Sequence, residues 1–190
     1  MHSLFFDGQE FNGKDYTQNT LEKGVYENCV FTSCNFTDSD LFDVEFEECE
    51  FENCDLSMAK LNNTSLKDTI FKNCKLMGLH FETCNQFLFS PRFFNCIMDH
   101  SGFYTVNLKN STFKDCRMHY VDFTQAKASS IAFENCDMKN AVFEDTDLSK
   151  ADLRTAKNIV LDPDINHIKK AKFSVEAALD LLNKYDIQIG

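Results

Sequence analysis

Tryptophan is absent from this 190-residue chain, proline occurs twice and glycine six times. With glycine so scarce there is no loop able to cradle a phosphate, and neither G-x-S-x-G nor H-E-x-x-H occurs. No apolar run reaches the roughly 18 residues that a membrane-spanning helix needs. The first residues, Met1 to Phe11, carry acids and lack the apolar core of a signal peptide, so a cytoplasmic location is the expectation. Basic residues are few: 19 Lys and Arg face 30 Asp and Glu, a net charge of -11. That balance argues against direct binding to a nucleic-acid backbone. Cysteine is plentiful at nine, but the number is odd and no C-x-x-C occurs, which argues against a closed disulfide framework.

What the chain has in excess is phenylalanine, 20 copies, and their placement is periodic. Counting in fives from Phe6, the sixteen positions to Phe81 are all large and apolar, among them Phe11, Tyr26, Phe31, Phe46, Phe51 and Phe71. Gln86 breaks the phase. A shift of two residues restores it, with Leu88, Phe93, Met98 and Phe103 and then every fifth residue to Leu153, of which only Ala128 is small. A period of five is neither helical nor that of a flat strand, and fixed-period self-similarity marks a solenoid. All nine cysteines stand two before a fifth-residue position, a slot they share with Ser, Thr and Ala, as at Ser39, Thr64 and Ala151. Each unit therefore offers one small and one large inward residue and turns three outward.

The same ladders give the coil. Cys34, Cys54, Cys74, Cys96, Cys116 and Cys136 are spaced 20, 20, 22, 20 and 20, as are Phe31, Phe51, Phe71, Phe93, Phe113 and Phe133. Four five-residue units thus close one turn, and seven to eight turns at ~4.8 Å make a rod roughly 36 Å long. Within a column the thiols are spaced slightly beyond disulfide range, so the cysteines read as small core residues. The five histidines are scattered, His80 and His119 in outward slots. No groups converge as a catalytic site requires, and the chain reads as a non-enzyme with no metal and no cofactor.

Three features remain. From Glu27 to Asp55 there are ten acids and no Lys or Arg. Asp40, Asp43, Glu45, Glu47, Glu48, Glu50, Glu52 and Asp55 fall on successive walls, forming an acidic ring that is a candidate partner-binding surface. The phase break within 82–92 must bulge outward, making Phe87, Phe89 and Arg92 a second candidate contact. After Ala156 the repeat fades, dividing the chain into a solenoid, 1–156, and a C-terminal segment, 157–190. There Ser174 caps a helix over 174–185 with an apolar stripe of Val175, Ala178, Leu179 and Leu182, followed by a terminal strand over 186–190. Phe173, Val175, Leu179, Leu182, Ile187 and Ile189 are expected to line a two-fold interface.

Units such as Cys54-Asp55-Leu56-Ser57-Met58 and Ala151-Asp152-Leu153-Arg154-Thr155 resemble the pentapeptide-repeat family across residues 4–156. That resemblance implies an all-β, right-handed quadrilateral β-helix with a C-terminal α-helical cap. The segments Asp162-Pro-Asp-Ile-Asn-His-Ile168, Glu176-Ala-Ala-Leu-Asp-Leu-Leu182 and the final Ile-Gln-Ile-Gly are similar to the ending of its topoisomerase-protecting group, the Qnr, MfpA and McbG proteins. The resemblance implies a tail-to-tail homodimer that imitates duplex DNA and engages DNA gyrase or topoisomerase IV, protecting it from a drug or toxin. The large projecting loop of Gram-negative Qnr proteins is missing, which separates topoisomerase binding from drug protection. A scaffold for an unrelated protein partner is the alternative.

Overall fold

A computed structural model describes residues 4–188. The chain winds into a four-sided β-solenoid of about eight turns. All strand pairing is parallel and joins each coil to the next, as Phe31 pairs with Phe51 and, across the phase break, Phe71 with Phe93. Two walls carry regular strands. The first is a four-stranded sheet running from Leu4–Asp7 to Ser65–Lys67. The second is a seven-stranded sheet from Glu10–Asn12 to Phe133–Glu134, followed by the pair Asp152–Leu153 and Lys172–Phe173. The third and fourth walls are columns of single bridges, such as Asn35 to Asp55 and Gly102 to Asp122.

The core is the set of inward fifth residues. On the second wall Phe11, Phe31, Phe51, Phe71, Phe93, Phe113 and Phe133 stack with centroids 4.6, 4.7, 5.0, 5.4, 5.2 and 5.2 Å apart. On the fourth wall Phe81, Phe103, Phe123 and Phe143 form a second stack. Rings of the two stacks meet edge to face, as Phe103 and Phe113 do at 5.7 Å and 88°. Such offset and perpendicular contacts are the favourable aromatic geometries.

All nine cysteines are free and buried, and they do more than fill space. Each coil leaves the carbonyl of its inward residue pointing at a small-residue slot of the following coil. The thiols of Cys34, Cys54 and Cys74 donate to the Phe11, Phe31 and Phe51 carbonyls at 3.3, 3.2 and 3.3 Å. The hydroxyls of Thr64 and Thr146 do the same to Leu41 and Phe123. Burial pushes the Cys49 thiol up to about 12, so it stays protonated and able to donate to Tyr26 at 3.1 Å.

The last outward residue of nearly every unit has positive φ. Corners such as Phe36 to Ser39 close with a bond from the fourth N–H to the first carbonyl, as in a type II turn. Asn, Asp and Gly hold many of these places, including Asn28, Asp43, Asn53 and Gly78, because they adopt the left-handed region at least cost. Thr105, β-branched at φ +60°, is strained.

The solenoid does not stop at Ala156. Lys157 and His167 bridge back to Asp137 and Asp147, Asn166 donates to the Phe143 carbonyl from the small-residue slot, and Phe173 pairs with Leu153. The regular coil thus runs to Phe173. Asn158 and Pro163 hide it, standing where apolar residues are expected, while Ile159 and Leu161 are buried out of phase with the count.

Substitutions at two positions test this core. Cys54→Thr keeps a donor and Cys54→Val removes it with similar shape, so Val should be less stable than Thr by about 1 kcal/mol in urea unfolding. Equal stabilities would show that the carbonyl needs no partner. Thr105→Asn should raise stability by about 1 kcal/mol through relief of the left-handed strain, read as an upward shift of the urea midpoint at constant m-value.

Candidate partner-binding surfaces

The acidic ring lies on one coil of the solenoid, but it is not uniformly free. The next coil sets lysines beside it: Lys67 lies 3.2 Å from Glu45 and 3.6 Å from Glu47, Lys72 lies 2.7 Å from Glu50, and Lys75 lies 3.4 Å from Asp55. Each of these carboxylates is half-exposed, so the pairs are screened and individually weak. Asp40, Asp43, Glu48 and Glu52 make no ion pair among the described residues. Asp40 accepts from the Phe42 N–H and Asp43 from the Asn63 amide. Glu48 sits on a corner at φ +53°. The free anionic charge is therefore carried by Asp40 on the fourth wall, by the corners at Asp43 and Glu48, and by Glu52 on the second wall.

The phase break differs from expectation in its register. Residues 84–88 keep the old phase, with Asn85 bridging Ser65, so Leu88 is a left-handed corner at φ +56°, 58% exposed, and not an inward residue. Gln86 falls at the inward position of the old count but is exposed, its amide turned onto the Phe81 and Cys84 carbonyls. The new phase begins at Pro91, and the two extra residues are Phe89 and Ser90. Phe89 points into the core, 4% exposed and edge-on to Phe81 at 6.4 Å. It is therefore not a surface contact, and the projecting pair is Phe87, 69% exposed, with Leu88. Ser90 repairs the ladder: its hydroxyl accepts from the Asp68 N–H at 2.8 Å, replacing the carbonyl that the insertion displaces. Arg92 lies half-buried on the second wall, one amino group 3.4 Å from the Asp68 carbonyl.

At the C-terminus the α-helix is shorter than expected, Val175–Asp180, with a 3-10 turn at Asn183–Tyr185. Ser174 caps it, its side chain accepting from the Ala177 N–H at 3.1 Å. The helix packs through the face opposite to the expected stripe: Ala177 is buried and Leu181 lies against the core, with Phe173 half-buried beneath. Val175, Leu179, Leu182 and Ile187 are 78, 41, 36 and 55% exposed. Val160 and Ile165 of the last coil are exposed as well. Residues 186–188 form no strand, and Ile189 lies outside the described residues. Lys184 ties this end down, pairing with Asp162 and with Asp164 at 2.7 Å. Its ammonium holds the Asp162 carboxyl below its ordinary value.

Among the described residues no group of three or more His, Cys, Asp or Glu is placed to hold a metal. No helix among them is long and apolar enough to cross a membrane.

The fold is thus a solenoid of stacked five-residue units whose sites are surfaces rather than clefts. Family models described as Pentapeptide repeat region and Pentapeptide repeats (8 copies) match residues 87–157 and 49–85, more than half of the sequence together, and the chain belongs to the pentapeptide-repeat family. Comparison with curated proteins finds no match. Among solved structures, a trypsin-treated point variant of QnrB1, a plasmid-mediated fluoroquinolone resistance protein, is similar with a TM-score of 0.76 and 16% identity, over 100% of this chain and 92% of that one. Full-length QnrB1 gives 0.59 at 18% identity, over 97 and 100%. HetL of the cyanobacterium Nostoc, involved in heterocyst differentiation regulation, gives 0.65 at 16%, over 92 and 89%. At these identities the likeness is one of fold.

The bulge geometry is testable by paired substitutions. Phe89→Ala should destabilise the protein by about 3 kcal/mol, whereas Phe87→Ser should change stability by less than about 0.5 kcal/mol. Comparable losses at both positions would contradict the inward placement of Phe89.

Proposed function

We propose that this protein is a non-enzymatic, DNA-mimicking binder of a type II topoisomerase, DNA gyrase or topoisomerase IV, acting as a homodimer joined through its C-terminal ends. The observation that carries the reading is the run of ten acids without a single cation, Glu27 to Asp55, wrapped around a rigid solenoid. A rod with such charge suits a basic, duplex-binding groove, which it would approach by long-range attraction. The likeness of fold to QnrB1 supports the choice of enzyme class. Similarity to HetL favours the second reading, a scaffold for an unrelated protein.

The dimer rests on the exposed stripe Val175, Leu179, Leu182 and Ile187, with Val160 and Ile165 beside it. A short helix that presents an apolar face outward after packing its other face leaves that surface without cover. Two-fold closure is the commonest way to bury such a patch. The anionic coil then lies toward both free ends of a longer rod. Val175→Glu with Leu179→Glu should give monomers in sedimentation at tens of micromolar. A wild-type protein that stays monomeric there would refute the interface.

The acidic reading is tested by neutralising the unpaired acids, since a lysine at 45, 47, 50 or 52 would set like charges against Lys67 and Lys72, and one at 40 would face Lys60. Asp40→Asn with Glu48→Gln and Glu52→Gln should weaken effects on gyrase supercoiling while leaving stability within about 1 kcal/mol of wild type. Binding by the wild type should weaken steeply with salt as the screening length falls to ~8 Å at physiological ionic strength. Purified protein that neither inhibits nor protects gyrase and topoisomerase IV would leave the scaffold reading in place.

A further inference from the structure

The projecting pair Phe87 and Leu88 stands on the first wall and on the corner that follows it, 69 and 58% exposed. Two outward columns run along the rod through this pair. In one, Asp7, Glu27, Glu47 and Lys67 stand in register one coil apart. The other is the corner beside it, where Gly8, Asn28 and Glu48 donate their N–H groups to the carbonyls of Glu27, Glu47 and Lys67. Beyond the phase break both columns continue, with Ser130 and Lys150 donating to the carbonyls of Ser149 and Lys169. A shallow depression lined in part by Asp68, Leu88 and Asn110 joins the corner column across the break. Leu88 is the fifth of nine corner places from Gly8 to Lys170, which are 20 residues apart except for the 22 from Leu88 to Asn110. The apolar pair therefore marks the middle of the strip.

The two halves of the strip carry opposite charge. Before Phe87 the columns hold Asp7, Glu27, Glu47, Glu48 and Asp68. The one lysine among these acids, Lys67, is held by Glu45 and Glu47 at 3.2 and 3.6 Å. After Leu88 the columns hold Lys109, Lys150, Lys169 and Lys170, all exposed, and no acid among the described residues. None of these four lysines makes an ion pair among the described residues. Half a turn about an axis through Leu88 would lay the acidic half of one copy on the basic half of another, and the apolar pair on itself. Self-complementarity of this kind is what a two-fold contact requires. The exposed aromatic at its centre supplies an apolar anchor, and the opposed charges set an antiparallel direction.

We propose that this strip is a self-association surface on which a second copy of the chain docks side by side and antiparallel. Phe87 and Leu88 meet the same pair, and Asp68 of each copy lies beside Lys109 of the other. The contact goes beyond topoisomerase binding and is separate from the C-terminal interface. At ~4.8 Å per coil, copies joined at their tails would hold their Leu88 residues roughly 40 Å apart, whereas the side-by-side pair brings them together. Exposed charges and one apolar pair make a weak contact, which populates only well above the concentrations at which the C-terminal interface is read. It strengthens as salt is lowered.

The test traps the contact at its axis. Full-length Leu88→Cys protein, which keeps Phe87, is oxidised with glutathione disulfide at low salt; the nine native thiols are buried and stay reduced. A disulfide-linked dimer is expected to form about tenfold faster than from Ser130→Cys. Position 130 lies on the same corner column, but in the antiparallel pair it is roughly 20 Å from its counterpart. The difference should vanish in ~1 M salt, where the screening length falls to ~3 Å. In the Leu88→Cys protein, Asp68→Lys or Lys109→Asp alone should slow trapping about fivefold, and the two together should restore it. Lys150 stands on the same corner column at φ +61°, so position 68 accepts lysine. Restoration by the double reversal separates charge matching from damage to the fold. Equal rates at 88 and 130, single reversals without effect, or a double reversal as slow as the singles would overturn the contact. Trapping should be unchanged by Val175→Glu with Leu179→Glu and is read without gyrase, so its failure is distinguishable from failure of the topoisomerase reading.

Discussion

Everything in this molecule depends on stacking like on like at the rung spacing of a parallel sheet. A coil of four five-residue units returns each side chain to a place directly above its own kind, and the phenyl rings of the second wall meet at 4.6 to 5.4 Å. That separation exceeds ideal aromatic contact only slightly, so a single residue type repeated along a column fills the interior without alternation of size. The constraint reaches outward as well. Because every column repeats, acids on one coil are answered or opposed by whatever stands in the same column one coil later. Lys67 and Lys75 meet Glu47 and Asp55 for this reason, while Lys67 and Lys72 also reach diagonally to Glu45 and Glu50.

The small-residue column carries the second half of the constraint. A solenoid with so few regular strands must still satisfy its buried carbonyls. For many of them it does so by placing a donor in the narrow slot above: a thiol at Cys54, a hydroxyl at Thr64, an amide at Asn166. Cysteine suits the position because it is small, polarizable and, when buried, firmly protonated. The same logic explains Ser90, which restores with a side chain the acceptor that the insertion displaced from the backbone.

The inward ladders are plain in the sequence because a period of five over thirty units leaves no competing register. What is hidden lies where one coil meets an exception. Leu88 continues the resumed count numerically, yet the insertion is taken up after it, so it emerges on a corner and Phe89 enters the core instead. The last coil is masked because Asn158 and Pro163 fall on the count while the buried apolar residues, Ile159 and Leu161, stand off it. The packed face of the helix is illegible for a different reason. Six residues give too few turns for periodicity to choose a face, and apolar side chains occur on both. Pairing of Phe173 with Leu153 fixes how the helix leaves the rod, and Ala177 is small enough to lie against the end.

The surface features are less legible than the core, since outward slots tolerate almost any residue and a single sequence gives them no pattern. The acids are visible as a run, but their pairing depends on which lysine stands one coil away. The contact of Glu82 with Gly102 has no signature at all. The two residues are distant in sequence and meet only because the two-residue shift falls between them. The lengthened coil brings Gly102, rather than His100, above His80. The insertion that moves Phe89 inward on one wall therefore also decides which side chains meet on another. Its cost in regularity is the means by which a uniform rod acquires one place unlike the rest, with the buried carboxylate oxygen of Glu82 at its centre.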